Sequence, residues 1–97
     1  MEKFIYVVKD HSTNSTVKLV LAVYDDLEKA KTFANEYIEF LTKYRDPYDV
    51  DIFLENKFLK NKESEDGTYD VGYIYLKNKV VHLFIERYKL NHNLFED

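Results

Sequence analysis

Apolar side chains recur along this chain with two different periods, and the changes between them mark out its elements. Residues 3–9, KFIYVVK, are β-branched and aromatic and bounded by charge, which predicts a strand. Phe4, Tyr6 and Val8 share one face and Ile5 and Val7 the other, so both faces are apolar. Asp10 to Ser15 is a polar loop of side chains that hydrogen-bond their own backbone, and it suits an antiparallel hairpin with a mobile tip. A second strand, Thr16 to Tyr24, puts Val17, Leu19, Leu21 and Val23 on one face. Its other face is a mixed set with Lys18, Val20 and Tyr24.

The period then lengthens. Leu27, Ala30, Phe33, Ala34, Tyr37, Ile38, Leu41 and Tyr44 recur every three or four residues, which predicts an amphipathic helix of about five turns. Asp25 suits its N-cap, with Glu28 three residues on, and the acidic first turn complements the helix dipole. Asp46-Pro47 ends it. Tyr48 to Leu59 supports two readings. As an edge strand it aligns Val50, Ile52 and Leu54; as a helix with Asp46 as N-cap and Pro47 at N1 it aligns Val50, Leu54 and Phe58. The strand is favoured.

After a charged loop over 61–67 comes a hairpin, Thr68 to Leu90. Tyr69, Val71, Tyr73 and Tyr75 alternate with Asp70, Gly72, Ile74 and Leu76. Lys77-Asn78-Lys79 makes the turn, with Asn78 able to adopt a positive φ. On the return strand Val81, Leu83, Ile85 and Arg87 alternate with Val80, His82, Phe84, Glu86 and Tyr88. Gly72 inside a strand signals a bulge or the close approach of another backbone. Residues 91–97 form a loose tail in which Leu94 and Phe95 tuck back on the domain. The order β-β-α-β-β-β predicts an α+β fold for residues 1–97: a single, mostly antiparallel sheet with one amphipathic helix packed on one face.

Ninety-seven residues supply one core. A helix about 10–12 Å across cannot cover both apolar faces of four or five strands, so one face is left over. Surplus apolar surface points to an interface, and a homodimer is its simplest form. The candidate interface residues are Phe4, Tyr6, Tyr69, Val71, Tyr73, Tyr75 and Phe84.

Candidate chemistry changes this picture little. The chain has no cysteine, which excludes a thiolate metal site and a cysteine nucleophile. His11, His82 and His92 do not pair at metal-ligand spacing, and the acidic clusters lack a calcium-loop pattern. His82 and Glu86 share a strand face but stand about 13 Å apart, beyond acid–base coupling. Ser12, Thr13 and Ser15 beside His11 lack the turn and oxyanion donors that acyl transfer needs. With two glycines there is no phosphate loop. The expectation is a non-enzymatic domain without catalytic residues, cofactor or metal.

A net charge of −4 argues against double-stranded nucleic acid. The alternative is a nucleotide- or single-stranded RNA-binding module that stacks bases on the sheet tyrosines, with Lys57, Lys60, Lys62, Lys77 and Lys79 beside them. Phe, Tyr, Met, Ile, Asn and Lys total 41 residues against 8 of Gly, Ala, Arg and Pro, the bias of an AT-rich gene. Neither a signal-peptide core nor an apolar run of membrane-spanning length is present. The expectation is therefore a soluble, cytoplasmic interaction protein, homodimeric through its aromatic sheet face. Its second partner is another protein, as for a viral or phage accessory factor that binds or inhibits a host protein.

Overall fold

The computed structural model describes residues 3–61 and 66–90. Five strands, β1 (Phe4–Ser12), β2 (Leu19–Tyr24), β3 (Asp51–Lys60), β4 (Gly67–Tyr75) and β5 (Val80–Lys89), form one antiparallel sheet in the order β2-β1-β5-β4-β3. The helix α1 (Leu27–Thr42) packs on one face, so the α+β architecture stands as expected. The two hairpins are joined through β1 and β5, whose register runs from Phe4 opposite Lys89 to Ser12 opposite Val81.

The core lies between α1 and the three middle strands. Val8, Val71, Ile74, Val81, Leu83 and Ile85 come from the sheet, and Ala30, Ala34 and Ile38 from the helix. Two alanines on the contact stripe bring the helix axis close to the sheet. Full burial of a Leu83, Ile85 or Ile74 side chain contributes roughly 1.5–3 kcal/mol, and these chains are 0–1 % exposed. Leu27, Phe33, Tyr37 and Leu41 flank the stripe, as the helical period requires.

Several boundaries differ from the sequence expectation, each for a local reason. Asp26, not Asp25, caps α1: its backbone is extended and its carboxylate accepts from the Glu28 and Lys29 amides at 2.7 and 3.3 Å. The helix ends at Thr42, so Tyr44 lies beyond the apolar stripe and is exposed. The segment after it combines both readings. Asp46 and Pro47 do start a helix, but it is a single 3-10 turn, Pro47–Asp49, and the chain then enters β3 as an edge strand.

The tip of the first hairpin is tied down. The Thr13 amide donates to the Val80 carbonyl at 2.9 Å, and the Val80 amide donates to Thr13 Oγ1 at 3.1 Å. In the β4–β5 turn, the Leu76 amide donates to the Lys79 carbonyl, and Asn78 does not use a positive φ. The expected tail, with His92, Leu94 and Phe95, and Lys62 of the charged loop lie outside the described residues.

Three bulges interrupt the ladders, and those at Leu21 and Val71 change the side-chain parity of their strands. Leu21 is the extra residue of β2 against β1, since Val8 faces Ala22 and Lys9 faces Val20. Val71 is the extra residue of β4 against β5, between Asp70 opposite Phe84 and Gly72 opposite Leu83. Glu55 and Asn56 of β3 are inserted between the Leu54–Gly72 and Lys57–Asp70 pairs, with Asn56 at φ 48°. Gly72 fulfils both of its expected roles. It borders the bulge at φ 150°, and a Cβ there would lie 2.3 Å from the Phe53 carbonyl oxygen.

Candidate interaction surface

The bulge at Val71 divides the seven candidate residues between two surfaces. Tyr69 and Val71 lie on the helix side, whereas Tyr73 and Tyr75 lie on the side away from it, so the four do not form one tyrosine-bearing face as strict alternation implied. Val71 belongs to the core and Tyr6 packs against it. Lys31 of α1 sets its ammonium 4.6 Å from the Tyr69 ring centre, and the Tyr69 hydroxyl donates to Asn56 Oδ1 at 3.1 Å. Phe4 is engaged as well: the Arg87 guanidinium sits 4.5 Å from its ring and 4.4 Å from the Phe58 ring. These four residues serve the fold.

The helix-free face is held by paired polar groups at its centre. Lys9 Nζ lies 2.6 Å from Glu86 Oε1, and the Tyr88 hydroxyl donates to Glu86 Oε2 at 2.5 Å. Partial burial pushes the Glu86 carboxyl up, but the hydrogen bonds from Lys9 and Tyr88 outweigh it and hold the group below the usual carboxylate range. The same bond from Glu86 raises Lys9 above the ordinary lysine value.

Beside this pair, His82 Nε2 lies 2.9 Å from Asp70 Oδ1. Along the sequence Glu86 stands too far from His82 to be its partner; the carboxylate that meets it comes from the neighbouring strand and is visible only once the register is known. The imidazole is stacked on Tyr73, with centroids 4.4 Å apart and planes at 10°, and lies 4.9 Å from Phe84. Lys18 Nζ lies 5.5 Å from the centre of the Phe84 ring, and Phe84 is buried. His82 is thereby engaged by ring packing and one hydrogen-bond contact. Tyr73 and His82 are cross-strand partners, so their stacking joins β4 to β5 on the helix-free face. Among the described residues no group of three or more His, Asp or Glu side chains converges as a metal site.

One stretch of uncovered apolar surface lies at the β3 wing of the sheet. The helix overlies β2, β1, β5 and part of β4, and its contact with β3 is at most marginal. Phe53 and Leu59 on the helix-free side of β3, and Ile52 and Leu54 on its other side, are between 40 % and 55 % exposed. Tyr75, next to Asp51 of β3 in the ladder, continues this surface, and Tyr73 and Tyr75 are tilted ring neighbours at 6.4 Å. Sequence reasoning centred the surplus surface on β4 and β5. Only the edge position of β3, together with its alternation of apolar side chains on both sides, pointed here.

Among the described residues no helix is long and apolar enough to cross a membrane. No family model, curated protein or solved structure matches this chain.

Proposed function

We propose that this chain is a protein-interaction domain that presents β3 and the adjoining tyrosines of β4 to a protein partner. The supporting observation is the exposure of Ile52, Phe53, Leu54 and Leu59 on both sides of one edge strand, apolar surface that the fold itself leaves uncovered. Asp51 and Glu55 in the first half of the strand and Lys57 and Lys60 in the second give it charges of both signs, a rim that suits a mixed-charge protein surface better than a phosphate backbone. An extended segment of the partner adds to the outer edge of β3 or packs across Phe53 and Tyr75, with main-chain bonds giving affinity and the side chains specificity.

Affinity capture from the source cell with the native chain and with a Phe53→Asp, Leu54→Asp variant tests this. The native chain retains a stoichiometric protein partner and the variant, still folded by circular dichroism, loses it. Equal retention by both would overturn the assignment. The expected origin as an accessory factor acting on a host protein enters through the same experiment, as the identity of what is captured.

A further inference from the structure

The opposite edge of the sheet carries a different signal. β2, Leu19–Tyr24, reads LVLAVY: it has no charged residue and no proline, two of the usual protections of an exposed edge. Leu19, Val20 and Val23 are between 56 % and 59 % exposed. Lys18 immediately precedes the strand and Asp25 immediately follows it, both exposed.

The bulge makes the face pattern of this strand symmetric. Leu21 and Ala22 both pack against the core side, with Leu19 and Tyr24 beyond them on that same side. Val20 and Val23 fall on the helix-free side, as does Lys18, whose ammonium lies over Phe84, and Asp25 follows Tyr24 directly in the sequence. In an antiparallel ladder facing residues share a face, so a strand with this pattern can pair with itself in a register that an unbulged strand of the same sequence would forbid.

We infer that the outer edge of β2 pairs antiparallel with the β2 edge of a second copy of this chain, about a two-fold axis at Leu21 and Ala22. Val20 then faces Val23 of the other copy, Leu19 faces Tyr24, and Lys18 faces Asp25. Each of these contacts occurs twice. Shifting the register by one residue in either direction sets core-side residues opposite helix-free ones, for example Val20 opposite Tyr24, and separates Lys18 from Asp25. The second copy is favoured as the occupant by this charge complementarity and by the continuity of the ladder. The two five-stranded sheets become one of ten strands with both helices on one side. A groove of about 380 Å³ beside this edge, lined by Tyr24, Lys29 and Phe33 among others, lies where Leu19 of the second copy arrives.

The absence of native cysteine allows a clean test. Light scattering should give a mass near twice the chain's 11.7 kDa at micromolar concentration. Val23→Lys, an exposed substitution, should raise the dissociation constant at least about tenfold. Lys18→Glu should weaken the dimer, and Lys18→Glu combined with Asp25→Lys should restore it. Under mild oxidation a mixture of the Val20→Cys and Val23→Cys proteins should cross-link as a dimer, since facing residues stand about 4.5–5.5 Å apart, within disulfide range. Each protein alone should cross-link poorly. A monomer at every concentration would overturn the inference, as would a dimer indifferent to Val23→Lys or one whose mixed cysteine proteins fail to cross-link. The β3 surface is at the other end of the sheet, so none of these outcomes bears on its partner.

Discussion

The Tyr37 hydroxyl of α1 donates to Asp10 Oδ2 of β1, and this bond fastens the helix to the sheet through a carboxylate that is only 6 % exposed. Asp10 is the one buried acidic or polar residue among the described positions. Desolvation, and then the adjoining carboxylate, raise Tyr37 far above the ordinary tyrosine value. Removing the hydroxyl leaves Asp10 without this donor in a dry site. Tyr37→Phe should therefore cost about 1–3 kcal/mol, read as a lower urea midpoint with an unchanged slope. The same phenol should stay protonated in alkaline absorbance titration well above about pH 10. Its contribution to stability is complete below the unfolded tyrosine value, near about pH 10, and is lost as the pH rises toward the folded one.

Glu86 sets the opposite limb of the pH profile. Its folded value lies below the carboxylate norm, so its stabilisation is present above about pH 4.3, the unfolded value. It disappears as the pH falls through the folded value. Lys9, raised by the same contact, keeps its contribution until the alkaline side. In the native chain the urea midpoint should drop between about pH 7 and about pH 3. Glu86→Gln should be less stable than the native chain at neutral pH and show a shallower acid decline. An acid limb of equal steepness in both proteins would remove Glu86 from this role.

Gly72 is the tightest backbone contact at the β3 wing. Any Cβ meets Phe53 O at 2.3 Å and Leu54 Cα at 2.9 Å, atoms of backbone that cannot swing aside. Gly72→Ala should cost at least about 2 kcal/mol and, by hydrogen exchange, open the β3 amides before those of β1 and β5. Because β3 carries the proposed partner surface, the same substitution should also weaken partner capture. Its effect differs from that of Phe53→Asp in being accompanied by loss of order in the strand.

The helix and the identity of every strand were legible because they depend on local period: Leu27 to Leu41 at 3.6 residues, Ile52 to Leu54 and Tyr73 to Tyr75 at two. The face each strand presents was not. Leu21 and Val71 each shift parity by one residue, and a bulge costs the sequence nothing that period analysis can detect. Tyr69 and Tyr73, an even number of positions apart, consequently end on opposite sides of the sheet. Only Gly72 betrayed its bulge in advance. The Asp70–His82 pair was hidden for a related reason, since its partners are twelve residues apart and meet only through the β4–β5 register.

The strand order has a consequence for how the chain matures. β1 and β5 are neighbours at the middle of the sheet yet nearly the whole sequence lies between them, Phe4 opposite Lys89. Until β5 delivers Leu83 and Ile85, the first hairpin and α1 have no floor to close upon, and the second hairpin has no helix above it. Neither half is a finished folding unit. Assembly must therefore wait for the last strand to leave the ribosome, and its rate is governed by the long loop closure that joins first strand to last.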